Sequence, residues 1–307
     1  MPNNIIQIRL DIKNHFDPYS MIENSKEIKF SESGLFYYSC TLFRQKDESR
    51  NWIVSKIEIW DTETAKKIFE YITDNDMSHH SSRWIISKGH EYLLLSEAQT
   101  GYSIFDISAC QLYSCNIEED PFIWMEIYIS PDGEKLMIEG CYWACPCELR
   151  VYAVENITKL PYNLLYKSSL YTSENGFKFY KWRDERSIYF QDKENNYVSV
   201  FIPDLEAEIY YLTAEEGGRK TSVKSGYRGQ FYYDGNDWDA QQEFINKQEC
   251  KPGESVCVYL HTLSPQYHQE KFFVGKGFEI REGAKVVGRG NITNVIRSDF
   301  RKQDKLK

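Results

Sequence analysis

The chain of 307 residues is long enough for two domains of ordinary size. Its aromatic content of 15% excludes a disordered polymer, because such chains lack the apolar side chains that a core requires. Its formal net charge of −9 disfavours a DNA-binding protein, since affinity for nucleic acid depends largely on neutralising phosphates. No apolar run reaches the roughly 18 residues that span a bilayer, and the N-terminal run lacks a signal-peptide cleavage site. We therefore expect a cytoplasmic protein without a membrane partner, whose eight cysteines stay reduced.

The first two-thirds of the chain, residues 1–203, contain a repeated pattern of short β runs rich in Tyr, Phe, Trp, Ile and Val. Four similar runs recur at steps of 45 to 49 residues, and a strand pair with a tight turn precedes each of them. Repeats of this length with several strands are typical of propeller blades, and residues 57–68 and the turn 130–133 resemble WD-repeat blades. We predict an all-β, propeller-like domain of about four units, with residues 5–12 supplying a closing strand. An open β-sandwich is the alternative.

One segment of this region concentrates thiols, because Cys141, Cys145 and Cys147 lie within seven positions. Thiolates suit zinc and iron–sulfur centres. However, the C-x3-C-x-C spacing differs from the paired C-x2-C of a zinc knuckle, and a fourth ligand would have to come from elsewhere. Three interpretations remain open: packing of thiols as small apolar groups, a metal site, and redox chemistry. We favour packing, and expect no metal, no cofactor and no catalytic residue.

The last third of the chain changes character from Leu205 onward. Alternating apolar residues in the segments 206–210 and 256–260 predict strands with one buried face. Gly217 with Gly218, and Pro252 with Gly253, supply turns that need unusual backbone angles. Together these features predict a small closed antiparallel barrel, which leaves no sheet edge exposed.

Five ordered blocks of this region resemble the C-terminal (third) domain of elongation factor Tu. They are the opening strand 206–210, the acid-Gly-Gly-Arg turn 215–221, the segment Gly-Tyr-Arg-Gly-Gln-Phe-Tyr at 226–232, the Pro-Gly-Glu turn 252–254, and the closing blocks 278–283 and 287–290. The resemblance implies a barrel over residues 204–298, followed by a polar tail at 299–307. The chain lacks the phosphate-binding loop of a GTPase, so GTP chemistry is not expected.

The family's domain helps to hold the T stem of aminoacyl-tRNA and contacts a nucleotide-exchange partner. By resemblance, and from neighbouring aromatic residues, the surface that binds RNA or a protein partner would include Arg219, Lys220, Arg228, Gln230, Tyr233, Trp238, Arg281, Glu282 and Gly283. The alternative is that the arginines of this set only pair with nearby glutamates to fix turns. The family's threonine-bearing segment is replaced here by one that contains Asp234, Asp237 and Asp239, which disfavours a phosphate backbone.

These observations lead us to expect a non-enzymatic, bacterial binding protein whose barrel acts as an interaction or decoy module. The expected partner is a protein, either a translation component or a toxin that acts on translation. In the second case the chain would be an immunity protein, for which an acidic surface facing a basic toxin provides charge complementarity. The alternatives are a tRNA- or ribosome-associated accessory factor and, as a third, a metalloenzyme that uses the cysteine cluster.

Overall fold

The computed structural model describes residues 19–45, 53–73, 82–97, 101–115, 121–142, 145–245 and 247–302. Over these ranges the chain is all-β, as the sequence predicts, with two short 3-10 helices. It divides into two compact units, Met1–Val200 and Phe201–Lys307. None of the helices in these ranges has the length and apolar character required to cross a membrane.

The first unit consists of four antiparallel sheets that follow one another along the chain. The first contains β1 (Tyr19–Met21), β2 (Glu27–Phe30), β3 (Phe36–Gln45), β4 (Ile53–Asp61) and β5 (Lys67–Thr73), where β1 and β2 pair with successive parts of β3. The second contains β6 (Arg83–Ser87), β7 (His90–Glu97), β8 (Gly101–Asp106) and β9 (Gln111–Ser114). The third contains β10 (Ile123–Ile129), β11 (Lys135–Cys141), β12 (Glu148–Ala153) and β13 (Asn163–Ser168). The fourth contains β14 (Lys178–Asp184), β15 (Ser187–Gln191) and β16 (Tyr197–Phe201).

The sequence repeat corresponds to the order of strands within these sheets. Three of the four positions that define the repeat steps, Asp61, Asp106 and Ala153, are the last residues of β4, β8 and β12, and the fourth, Ile202, directly follows β16. Asp61 and Asp106 also begin similar turns, because the carboxylate of each accepts a backbone N–H three residues later, from Thr64 and Ala109. The four repeated units are therefore four sheets. Closure of the sheets into a propeller ring stays a prediction, and residues 5–12 lie outside the described part of the chain.

The second sheet carries apolar side chains on both faces, which explains the uninterrupted apolar run Tyr92–Leu95 within β7. Leu93 and Leu95 pack with Tyr38 and Ile57 of the first sheet. Leu94, which points the opposite way, packs with residues of the third sheet instead. Successive residues of a strand face opposite sides, so alternate residues of β7 join two different cores. Stacking of neighbouring sheets thus buries the apolar faces that a single sheet would expose.

The second unit is a closed barrel of six antiparallel strands in the order β17-β22-β20-β19-β23-β24, with β24 paired back to β17. Its elements are β17 (Leu205–Tyr211), β18 (Val223–Lys224), β19 (Gln230–Tyr233), β20 (Asn236–Phe244), β21 (Glu249–Cys250), β22 (Ser255–Thr262), a 3-10 helix (Pro265–Tyr267), β23 (Gly277–Glu282), β24 (Lys285–Val295) and a second 3-10 helix (Ser298–Phe300). The short strands β18 and β21 pair separately. The predicted closed barrel is confirmed.

Strand alternation and two glycines account for the barrel's opening segment. Along β17 the odd-numbered residues Leu205 to Tyr211 are buried in the barrel core, whereas the residues between them are not. In the turn that follows, Gly217 has a φ of +87°, in the left-handed region that favours glycine. Gly218 is required for a different reason, since a Cβ atom there would lie 2.1 Å from the carbonyl oxygen of Leu212.

The C-terminal boundary of the barrel differs from the prediction of a polar tail at 299–307. Phe300 is fully buried in the barrel core, against Phe272, and its carbonyl accepts the Phe272 N–H at 2.9 Å. A single aromatic residue among charged neighbours gives no periodic signal, so the sequence pattern did not reveal this contact. The barrel therefore extends through the second 3-10 helix.

Candidate interaction surface of the barrel

Three adjacent strands of the barrel, β20, β19 and β23, present a polar and aromatic outer surface. In β19, Gln230 is paired with Arg281 on one side and Asp239 on the other. Tyr232 is paired in the same way with Glu279 and Asp237. Directly opposed residues on one face of a sheet lie close enough for their side chains to interact. We call this group of side chains the barrel face: Gln230, Tyr232, Asp237, Asp239, Glu279 and Arg281.

Arg281 is held in place on β23, at one side of the barrel face. Its Nε–H donates to Glu279 Oε2 at 2.8 Å, and its guanidinium carbon lies 3.2 Å from the centroid of the Tyr232 ring. A guanidinium that is both paired and stacked on an aromatic ring is pre-organised for planar contacts. However, its charge is already balanced by a carboxylate. Asp237 and Asp239 are exposed on β20, on the other side of β19, so the barrel face offers more negative than positive charge.

A second cluster lies at the adjoining end of β23 and contains Arg219, Tyr227 and Glu282. Arg219 forms an ion pair with Glu282, and the Tyr227 hydroxyl donates to the same carboxylate at 2.7 Å. The Arg219 guanidinium also lies 5.3 Å from the Tyr227 ring and donates to the Thr221 carbonyl at 3.3 Å. Arg219 is thus held both by Glu282 of β23 and by Thr221 in the turn before β18.

The barrel agrees with one known protein family. The sequence model of the family described as the elongation factor Tu C-terminal domain matches residues 201–296 of this chain. The second unit is therefore similar to the elongation factor Tu C-terminal domain. The match covers the six strands of the barrel and leaves the four sheets of the first unit outside it.

The remaining cations that this elongation factor Tu-type domain was predicted to present are exposed. Lys220 and Arg228 both lie on the surface, in the loops before and after β18. Gly283 is exposed as well and has a φ of +60°, with no atom within 4 Å of the position of a Cβ. The structure therefore brings Arg219 together with Glu282, and Gln230 together with Arg281. Lys220, Arg228 and Gly283 lie in the loops around them.

Tyr233 and Trp238 were predicted as exposed anchors for a partner, and for Tyr233 this is wrong. Tyr233 is only 3% exposed and belongs to the barrel core. Its side chain shares the inward face of β19 with Phe231, two residues earlier, as strand periodicity requires. Trp238 is half-buried against the same core and stacks on Tyr267 at 5.4 Å. The aromatic residue that β19 does present outward is Tyr232.

The sequence interpretation missed His268, which lies inside this aromatic cluster. His268 is fully buried, its Nδ1 is hydrogen-bonded to the Tyr233 hydroxyl, and its ring packs edge-on against Trp238 at 5.1 Å. Burial lowers the pKa of His268 to about 4, because desolvation disfavours the charged imidazolium. No motif surrounds this residue, so only its contacts identify it as a core histidine.

The three clustered cysteines of the first unit, Cys141, Cys145 and Cys147, differ in their burial. Among the described residues, no group of three His, Cys, Asp or Glu side chains is placed to hold a metal ion. Cys147 is buried, Cys141 is half-buried and Cys145 is exposed. Burial, together with the carboxylate of Glu174, raises the pKa of the Cys147 thiol to about 12. The Cys147 backbone N–H donates to the same carboxylate at 3.0 Å.

Proposed function

We propose that the chain is a non-enzymatic binding protein whose elongation factor Tu-type barrel recognises a basic protein through the barrel face. The observation that carries this proposal is the arrangement around Arg281. Glu279 already balances the charge of this arginine, and the same face presents exposed Asp237 and Asp239 on β20, across β19. Such a surface repels phosphates and attracts cationic side chains. Tyr232 supplies an aromatic group at its centre, of the kind that dominates many protein interfaces.

The neighbouring cluster supports the same proposal. An RNA-binding role would require Arg219 and Arg281 to be available for phosphate or ribose contacts. Both are engaged by carboxylates instead, Arg219 by Glu282 and Arg281 by Glu279. Breaking an ion pair in order to bind a phosphate exposes the carboxylate that remains. The exposed carboxylate repels the phosphate and so lowers the affinity for RNA. A protein partner with cationic side chains binds these carboxylates directly and does not need to break the ion pairs.

In its more specific form, the proposal makes the chain a cytoplasmic immunity protein that neutralises a basic toxin acting on translation. The barrel would then compete with, or imitate, the translation factor whose domain it resembles. A tRNA- or ribosome-associated accessory factor is the second candidate. Exposed Lys220 and Arg228 favour it, since they are cations in the loops that the family uses near RNA.

The two candidates differ in how charge reversal on the barrel face changes binding. We would purify the chain with its partners from the native host and identify them by mass spectrometry and RNA sequencing together. The affinity of each recovered partner is then measured for the wild type and for the double variant Asp237→Lys, Asp239→Lys. We expect to recover a protein partner that binds the double variant about tenfold or more weakly than it binds the wild type. We expect tRNA to bind both forms weakly at physiological salt.

The matched control reverses two exposed acids of the first unit, Glu185→Lys and Glu194→Lys, so that the net charge changes equally. This control should bind the protein partner as the wild type does. Equal losses in both double variants would mean that only the overall charge matters. Sub-micromolar tRNA binding that Arg281→Ala abolishes would replace the protein-partner proposal with the RNA-associated one.

A further inference from the structure

Three sulfur-containing residues lie at one end of the third sheet: Met125 on β10, Cys141 at the end of β11, and Cys147 just before β12. The pairing of β11 with β12 ends at Gly140 and Glu148, so Cys141 and Cys147 occupy the next opposed position. Directly opposed residues on one face of a sheet lie close enough for their side chains to interact. On the other side of β11, Cys141 is paired with Ile123 of β10.

The third sulfur comes from Met125, which lies at an irregularity in β10. The pairing of β10 with β11 shifts between Trp124 and Glu126, so Met125 is the extra residue of a β-bulge. Bulges re-aim a side chain relative to the regular alternation of a strand. Here Met125 Sδ lies 4.0 Å from Cys147 Sγ, although the two residues are on strands separated by β11.

The 4.0 Å between Met125 Sδ and Cys147 Sγ fits trigonal coordination of one ion. With metal–sulfur bonds of about 2.3 Å, three ligands at 120° around an ion lie about 4.0 Å apart. Thiolates and thioethers are the ligands that Cu(I) prefers. Zinc normally takes four ligands from Cys, His, Asp and Glu, whereas the described residues provide no group of even three such side chains.

We propose that Cys141, Cys147 and Met125 form a binding site for a single monovalent soft cation, Cu(I). The two thiols lose their protons to solvent as the ion binds, and no electron is transferred. Met125 is 43% exposed, so the ion reaches the site from the side of the thioether. Cys147 is fixed by the hydrogen bond from its backbone N–H to Glu174, which holds its thiol in position. Cys145 is exposed in the preceding loop and is not a ligand.

The test is a titration of the fully reduced full-length chain with Cu(I) under anaerobic conditions, in competition with a chromophoric Cu(I) chelator. We expect one equivalent to bind and X-ray absorption to find three sulfur ligands at about 2.3 Å. Met125→Leu should weaken binding by about tenfold or more, while Cys147→Ser and Cys141→Ser should abolish it. Leucine has nearly the volume of methionine, so this variant retains the fold.

Two cysteine variants serve as matched controls, because they remove an exposed thiol without touching the site. Cys110→Ser and Cys145→Ser should each bind one equivalent with unchanged affinity. Failure of the wild type to compete with the chelator would overturn the proposal. An unchanged affinity in Met125→Leu would also overturn it. The same holds if Cys145→Ser lowers the affinity as much as Cys147→Ser does.

Discussion

Replacing His268 by Gln should remove most of the barrel's loss of stability in mild acid. His268 is fully buried, hydrogen-bonded to the Tyr233 hydroxyl, and packed edge-on against Trp238 and Phe300. Glutamine retains a neutral group that can hydrogen-bond to Tyr233 but does not titrate. The variant therefore isolates the effect of protonating the imidazole from the loss of its neutral contacts.

The sign and size of the effect follow from the two pKa values. Burial lowers the pKa of folded His268 to about 4, whereas an unfolded histidine titrates near 6.5. The neutral ring is therefore fully stabilising above pH 6.5, and the free energy of unfolding falls as the pH drops from 6.5 towards 4. At about 1.4 kcal/mol per pH unit, the loss is about 2 kcal/mol at pH 5 and about 3 kcal/mol at pH 4.

The assay compares denaturant unfolding of the barrel at pH 7.5 and pH 5 for the wild type, His268→Gln and His90→Gln. His90 is exposed in the first unit, so its variant should behave as the wild type does. We expect His268→Gln to lose about 2 kcal/mol less than the wild type between the two pH values, since other titrating groups cancel in the difference. Proton NMR should also find one histidine resonance with a midpoint near pH 4, absent from the variant. An identical pH dependence in the wild type and His268→Gln, or a midpoint near 6.5 for that resonance, would refute this reasoning.

Three further predictions concern the barrel and the metal content of the protein. Gly218→Ala should lower the free energy of unfolding by about 2–4 kcal/mol in a denaturant titration, because the Cβ of alanine would clash with the Leu212 carbonyl. A loss below about 1 kcal/mol would mean that the turn adjusts freely. A fragment from residue 203 onward should unfold cooperatively by calorimetry or circular dichroism, because it contains a closed barrel with its own core, and a fragment without a cooperative transition would argue against an autonomous domain. Elemental analysis of purified protein should find no stoichiometric zinc or iron, and one equivalent of either would restore the metalloenzyme interpretation.

Local patterns were sufficient to predict the strands and the family of the barrel. Alternation in β17 follows from the two-residue period of a strand, and the turn at Gly217 and Gly218 from backbone angles and a close approach that other residues do not tolerate. The four repeated units correspond to sheets because each repeat contains its own strand pair. Such signals are contained within a few neighbouring residues, so no knowledge of distant contacts was needed.

The sequence by itself therefore determined the all-β class, the repeated sheets and the elongation factor Tu-type barrel. The tertiary structure decided which side chains pair with one another and which are available to bind a partner. Arg281 is adjacent to Glu282 in the chain, but its partner is Glu279, because residues two apart share a face of a strand. Glu282 instead meets Arg219, more than sixty positions earlier. Met125 reaches Cys147 only because a bulge shifts the register of β10. These contacts join residues that are distant along the chain, and their distances depend on strand register, which composition and spacing do not encode.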